Sequence, residues 1–360
     1  MNEVLKNYLK KTGDSVSEFV NNNIDSFLEP RELRDASLLY FNRGGKRLRP
    51  GLVCLAAGLF GGENAETAAL PCAAGVELFH NWTLIHDDII DNDDVRRGGS
   101  SVHVAVAALF RDCGEKSREY GRDVAILAGD ALHSMSVRLM TKLVENGVSS
   151  EIALKIISLC EGEYVNRLLC GETLDTRSGL FSGNVISEGI NEDESLNIML
   201  GKTGALFALC AVSGAMIGLG ISDERDDRIT ALKCFAENCG IAFQLKDDIL
   251  GVTSDEKTLG KPIGGDIREG KATLILAEAI RNASPSDRDF FERVVGNRQA
   301  TTSEVERALR LLQELGGVDY AARLAADSID RALKSLEVLP HNTYSELLCM
   351  WAESMSARKL

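Results

Sequence analysis

Two stretches of this 360-residue chain place carboxylates at helical spacing in apolar surroundings, where they need a counter-charge. The first reads Leu84-Ile85-His86-Asp87-Asp88-Ile89-Ile90-Asp91-Asn92-Asp93-Asp94-Val95-Arg96-Arg97-Gly98-Gly99. On a helix Asp87 and Asp91 lie one turn apart and share a face, with Asp88 flanking them. Like charges at that spacing repel, so the helix is destabilised unless a cation sits among them. Hard carboxylate oxygens suit Mg²⁺. The second stretch, Ala242-Phe243-Gln244-Leu245-Lys246-Asp247-Asp248-Ile249-Leu250-Gly251, repeats the design of an apolar run followed by paired aspartates. Two such clusters facing one another could hold several Mg²⁺ ions, which bridge a diphosphate and draw off charge as its C–O bond breaks.

An acidic run by itself is as often a solvated helix end. An EF-hand is excluded, because counting from Asp91 the sixth position is Arg96 where glycine is needed. What separates this pattern from a solvated end is the cations beside it. Gly44-Gly45-Lys46-Arg47-Leu48-Arg49-Pro50 puts three positive charges within one helical turn after two glycines, which let a backbone approach an anion closely. Arg96 and Arg97 follow the first acidic motif directly, and Gly260-Lys261-Pro262 and Gly270-Lys271-Ala272-Thr273 follow the second. Taken singly, each of these cations is more often a solvated surface group.

The elements that must position these residues read as helices. Apolar residues recur at helical spacing almost everywhere, as at Leu52, Leu55, Ala56, Leu59 and Phe60, and strand-like alternation is hard to find. With only six prolines, and glycines clustered at boundaries such as Gly61-Gly62 and Gly264-Gly265, the punctuation implies a dozen or so helices with short connections. No composition shift divides residues 1–360, so one all-α domain is expected. Residues 111–121 and 178–194 read as surface excursions.

Composition narrows the partners. Forty basic against 54 acidic residues leave a formal charge of -14, which argues against a general nucleic-acid or anionic-membrane binder. Nine cysteines, scattered singly and without a C-x-x-C, suggest neither a disulfide framework nor a zinc site, and a reducing cytoplasm is the simpler reading. The first residues lack the order of a signal peptide, and no stretch reaches the roughly 18 apolar residues of a membrane span. Gly204 to Gly220 comes nearest and reads as a close-packed core helix.

In order along residues 40–275, G-G-K-R-L-R-P, H-D-D-I-I-D with R-R-G, K-T, F-Q-x-x-D-D and G-K-P resemble the trans-isoprenyl diphosphate synthases, especially the short-chain archaeal-type members. The resemblance implies a large all-helical bundle around a deep central cavity, usually a homodimer. It implies that Asp87, Asp88 and Asp91, with Asp247 and Asp248, bind Mg²⁺ and through it an allylic diphosphate. Arg96, Lys202, Thr203, Gln244, Lys261 and Lys271 would contact that diphosphate, while Lys46, Arg49, His80 and Arg97 would hold isopentenyl diphosphate. The released pyrophosphate would serve as the base, so no protein nucleophile is needed, in keeping with the lack of a Ser/His/Asp or Cys/His set.

Product length should depend on bulky residues one or two turns before Asp87. Trp82 lies about 7.5 Å earlier along a helix axis, followed by the small Thr83. In the family an aromatic there, without a second one next to it, resembles the geranylgeranyl (C20) type. The plain alternative is a core tryptophan. The chain departs from many relatives at Gly251, where they carry a further aspartate, and at Glu172, which replaces the usual Gln. A class I terpene cyclase would lack the G-G-K-R-L-R-P turn, and a non-catalytic partner subunit would have lost aspartates that this chain keeps.

Overall fold

The apolar periodicity becomes helix almost throughout. The computed structural model describes residues 2–24, 28–180, 191–254 and 264–356. Among them are eighteen α-helical stretches, more than the dozen or so expected, two of which, Leu39–Asn42 and Gly265–Glu269, are little more than single turns. In chain order they are α1 (Glu3–Ile24), α2 (Arg31–Ser37), α3 (Leu39–Asn42), α4 (Leu48–Ala68), α5 (Leu70–Ile90), α6 (Val102–Leu109), α7 (Glu115–Thr141), α8 (Ser150–Leu159) and α9 (Val165–Leu180). There follow α10 (Glu192–Met199), α11 (Ala205–Leu219), α12 (Asp227–Thr253), α13 (Gly265–Glu269), α14 (Leu274–Asn282), α15 (Pro285–Val294), α16 (Thr302–Glu314), α17 (Gly317–Leu336) and α18 (Thr343–Ser356). The starts of several carry the residues that satisfy a first turn, as at α16, where Thr301 and Glu304 form a reciprocal capping box.

The core is one continuous apolar cluster reaching from Leu5 to Met355. At its centre lies α11, buried from Ala205 to Ile217. Its glycines let it press against α4: a Cβ at Gly214 would meet the Val53 carbonyl at 2.3 Å, and one at Gly218 the Ala57 carbonyl at 2.3 Å. The other broad pairings are α5 with α7 and α12 with α17. Glu192–Leu219 is long and apolar enough to cross a membrane, yet 83% of its apolar window is buried inside the fold. That agrees with the core-helix reading of Gly204 to Gly220.

Three departures from regular helix bear on function. A short antiparallel hairpin, β1 (Val95–Arg96) and β2 (Gly99–Ser100), follows the first acidic motif. Its two-residue turn, Arg97-Gly98, has positive φ at both positions, 51° and 72°. Two π-helical turns interrupt longer helices, at Cys160–Tyr164 and at Leu200–Gly204. The second carries Lys202 and Thr203 and is squeezed between two helices. A Cβ at Gly171 of α9 would lie 2.5 Å from the Lys202 amide nitrogen, and one at Gly240 of α12 would lie 2.6 Å from the Gly204 Cα. The expected excursion at 111–121 is shorter than the sequence suggested: Arg111–Cys113 forms one 3₁₀ turn, and α7 has begun by Glu115. Of the expected excursion at 178–194, residues 181–190 lie outside the described residues.

Candidate active site

The carboxylates sit where two buried helices end. α5 is buried along most of its length up to Ile85, and Asp87 in its last turn and Asp91 just past its end lie at the wall of a cavity of about 430 Å³. The last turns of α12 bring Asp247 and Asp248 to the same cavity. Both acidic motifs therefore open onto one space, together with Arg96, Lys202, Gln244 and Lys271. Asp88 has a different position. It is fully buried, does not line the cavity, and accepts from Arg96 Nε on Oδ1 at 2.6 Å and from the Tyr40 hydroxyl on Oδ2.

Each cation in the cavity is held by the aspartates opposite it. The Lys202 ammonium lies 3.2 Å from Asp87, 3.0 Å from Glu172 and 2.8 Å from Asp175. Lys271 lies 3.3 Å from Asp91 and 3.1 Å from Glu269. Arg96 joins Asp87, at 2.9 Å, to Asp88. Burial pushes the Asp87 carboxyl upward, but Lys202 and Arg96 outweigh it and hold the group below the usual carboxylate range. Burial prevails at Asp88 and Asp91, which are raised despite Arg96 and Lys271. Lys202 and Lys271 are raised as well: burial opposes their charge, and the surrounding carboxylates more than compensate.

On the α12 side a short relay fixes one carboxylate. Thr203 Oγ1 donates to Gln244 Oε1 at 2.9 Å, and Gln244 Nε2 donates to Asp248 Oδ1 at 3.0 Å. Burial, with Asp266 the foremost neighbouring charge, raises Asp248 to about 7. Gly251 leaves room beside this pair, and a Cβ there would meet Asp266 Oδ2 at 3.2 Å. Asp266 thus stands over the Gly251 position.

The basic turn divides its charges. Arg47 takes a left-handed conformation, φ 50°, which turns it inward to a buried ion pair with Glu77 and to the Phe41 carbonyl at 2.9 Å. Lys46 is exposed. Arg49 reaches His80, with NH1 3.1 Å from Nε2, and its guanidinium lies 4.8 Å from the centre of the Phe207 ring. Since Arg49 must donate, the imidazole hydrogen resides on Nδ1. Arg49 Nε and His80 Nδ1 are both buried without a hydrogen-bond acceptor. Burial and then Arg49 and Arg97 keep His80 neutral, well below its ordinary range, and burial lowers Arg49 to about 10. Arg97 donates to the Tyr40 and Gly44 carbonyls, at 2.7 and 2.5 Å, beside the same turn.

Trp82 packs edge-on against Phe79, with ring centres 4.9 Å apart, and lies 4.6 Å from the centre of His133. Its Nε1 donates to His86 Nδ1 at 3.2 Å, and Thr83 Oγ1 donates to the His80 carbonyl at 2.8 Å. Neither residue lines the aspartate cavity. Lys261 lies outside the described residues.

Sequence reasoning did not single out Tyr40, Asp93, Asp175 or Asp266. Asp175 could have been found one helical turn after Glu172, on the same face. Tyr40 carried no signal, being an aromatic in an apolar run.

The polyprenyl synthetase family model matches residues 30–312. The chain belongs to this family. It is 35% identical to a geranylgeranyl diphosphate synthase of Methanosarcina mazei over 95% of this chain and 96% of that one. Among solved structures, a geranylgeranyl pyrophosphate synthetase from Pyrococcus horikoshii Ot3 is 33% identical, with TM-score 0.81 over 99% of this chain and 98% of that one. A polyprenyl synthase from Caulobacter crescentus, solved with calcium and isoprenyl diphosphate, is 31% identical, with TM-score 0.82 over 99% and 97% of the two chains. The all-α architecture expected of the family is the one observed.

Proposed function

We propose that this polyprenyl synthetase condenses isopentenyl diphosphate head-to-tail with dimethylallyl, geranyl and farnesyl diphosphates. The product is a short trans-polyprenyl diphosphate, chiefly geranylgeranyl (C20), with some farnesyl (C15) released. The observation that carries the reading is the single cavity lined at once by Asp87, Asp91, Asp247, Asp248, Arg96, Lys202 and Lys271. Relatives named as geranylgeranyl diphosphate synthases support the chain length.

The donor set fits divalent metal. Seven aspartates line the cavity with hard oxygens: Asp87, Asp91, Asp93, Asp175, Asp247, Asp248 and Asp266. Among the described residues they do not converge into one closed cage. That suits Mg²⁺, which takes one or two carboxylates and completes its shell with water and phosphate oxygens. When bound, several Mg²⁺ ions would neutralise the diphosphate and polarise its bond to the allylic carbon. Asp88 stays with Arg96 and acts by holding it.

The chain's own part is charge exchange. With Asp87 and Asp91 holding metal, Lys202, Lys271 and the arm of Arg96 that reaches Asp87 would turn to phosphate oxygens while Glu172, Asp175, Glu269 and Asp88 keep them in place, and Lys261 is proposed to join them. Thr203 and Gln244 keep Asp248 oriented. The allylic C–O bond breaks with its electron pair leaving on diphosphate, where these cations stabilise the growing charge. Isopentenyl diphosphate is held by Lys46, Arg49, His80 and Arg97, and the donors of Arg49 Nε and His80 Nδ1 supply hydrogen bonds to it. Its double bond attacks the allylic carbon, and the proton lost from the isopentenyl unit passes to the diphosphate. Trp82 and Thr83 set the length at which growth stops. A homodimer in the cytoplasm completes the proposal.

The test is incubation of the purified chain with Mg²⁺, labelled isopentenyl diphosphate and each allylic primer separately. Products up to C20 are expected from all three primers, and no elongation from any of them would defeat the reading.

A further inference from the structure

Tyr40 touches both halves of the site through different atoms. Its ring is fully buried. The hydroxyl hydrogen-bonds Asp88 Oδ2, while the Tyr40 carbonyl accepts from Arg97 NH1 at 2.7 Å. The hydroxyl also accepts the Val102 amide at 3.0 Å. Val102 opens α6, so that amide has no partner within its own helix. With this N–H on the phenol oxygen, the hydroxyl hydrogen is directed to Asp88.

Asp88 is thereby committed. One oxygen serves Tyr40 and the other Arg96 Nε at 2.6 Å, so the carboxylate fixes the guanidinium that reaches Asp87 at 2.9 Å. Arg43, whose guanidinium lies 5.7 Å from the Tyr40 ring centre, donates to the Arg96 and Ser100 carbonyls at 3.0 and 2.8 Å and holds the hairpin against it.

We propose that Tyr40 is a positioning residue for both diphosphate sites: its hydroxyl sets Arg96 through Asp88, and its main-chain carbonyl sets Arg97. The proposal rests on the prenyl-transfer reading above. Because the two handles are separate atoms, the hydroxyl can be removed without disturbing the carbonyl. Tyr40→Phe deletes the hydroxyl and leaves the carbonyl in place.

The test combines steady-state kinetics with calorimetric titration of a non-ionising allylic thiolodiphosphate and of isopentenyl diphosphate, each with Mg²⁺. In Tyr40→Phe the KM and Kd of the allylic ligand rise roughly tenfold, the size of one hydrogen bond to a charged group, and those of isopentenyl diphosphate do not change. Tyr40→Phe adds nothing in an Arg96→Met background and keeps its full effect in Arg97→Met. Val102→Pro, which removes the amide that aims the phenol, sits where proline is tolerated and keeps an apolar side chain in the buried position, shifts the same constant in the same direction. A structural role alone would lower the unfolding midpoint and shift both ligands together. That outcome, unchanged allylic binding, or additivity with Arg96→Met would each overturn the proposal. Wild-type protein that neither binds the allylic analogue nor elongates a primer would instead bring down the prenyl-transfer reading, and this inference with it.

Discussion

Lys202 Nζ stands 3.2 Å from Asp87 Oδ1, across the gap between a π-helical turn and the end of α5. The pair joins a carboxylate suited to metal with an ammonium suited to phosphate, which Glu172 and Asp175 hold from its other side. Lys202→Met should lower turnover by about 10²–10³-fold, the usual effect of losing one preorganised electrostatic partner. Mg²⁺ should bind more tightly to the variant, since Asp87 no longer exchanges one cation for another. Calorimetric Mg²⁺ titration beside turnover at saturating Mg²⁺ checks both parts, and weaker metal binding would contradict the exchange.

Asp266 lies over Gly251 with its Oδ2 3.2 Å from where a Cβ would be. Asp266→Ala should raise the Mg²⁺ concentration needed for half-maximal activity by about 10–100-fold, as losing a supporting carboxylate does. Gly251→Asp added to that variant should recover much of the loss, since the new side chain enters the vacated space. Failure of the second substitution to help would show that the two positions are not interchangeable.

His80 is held neutral by burial and by Arg49 and Arg97. Its folded pKa lies below the unfolded one, so its contribution to stability is intact above about 6.5 and is lost as pH falls below that value, where the unfolded chain binds the proton more readily. The thermal midpoint of wild type minus that of His80→Asn should therefore decline from pH 7 to pH 5. A constant difference would mean that His80 is not kept neutral.

Arg47→Ala should destabilise the protein by about 3–5 kcal/mol, since it leaves Glu77 charged and buried without its partner. Lys46→Ala should leave stability nearly unchanged, because Lys46 is exposed. Denaturant melts of the two variants, run beside isopentenyl diphosphate KM values, separate the neighbours: Arg47→Ala moves the first measurement, and Lys46→Ala the second.

Trp82→Ala should lengthen the products beyond C20 if the growing chain descends along α5 toward the Trp82, Phe79 and His133 cluster. Chromatography of dephosphorylated products reads this directly, and an unchanged distribution would remove Trp82 from control of length.

The inward turn of Arg47 marks where local spacing stops conveying structure. Helices were legible from apolar period, and the two aspartate pairs from their spacing, because both depend on residues within a turn of each other. Nothing in the run Lys46 to Arg49 indicated that a left-handed Arg47 would face Glu77, thirty positions on, while Arg49 faced His80. Tyr40 met Asp88 only through tertiary packing. The π turn at Lys202 was equally silent, since one extra residue in a turn leaves the apolar pattern almost unaltered.

The squeeze on that turn makes the site sensitive to neutral changes. Gly171 and Gly240 press on it from opposite sides, where an added Cβ would come within 2.5 and 2.6 Å of its main chain. A single methyl at either would act as a shim, levering α9 or α12 outward and drawing Glu172 and Asp175, or Gln244 and Asp248, away from Lys202 and Thr203. Catalytic charge balance here is therefore gauged by hydrogen-sized clearances between backbones, and a substitution that alters no charge could unset it.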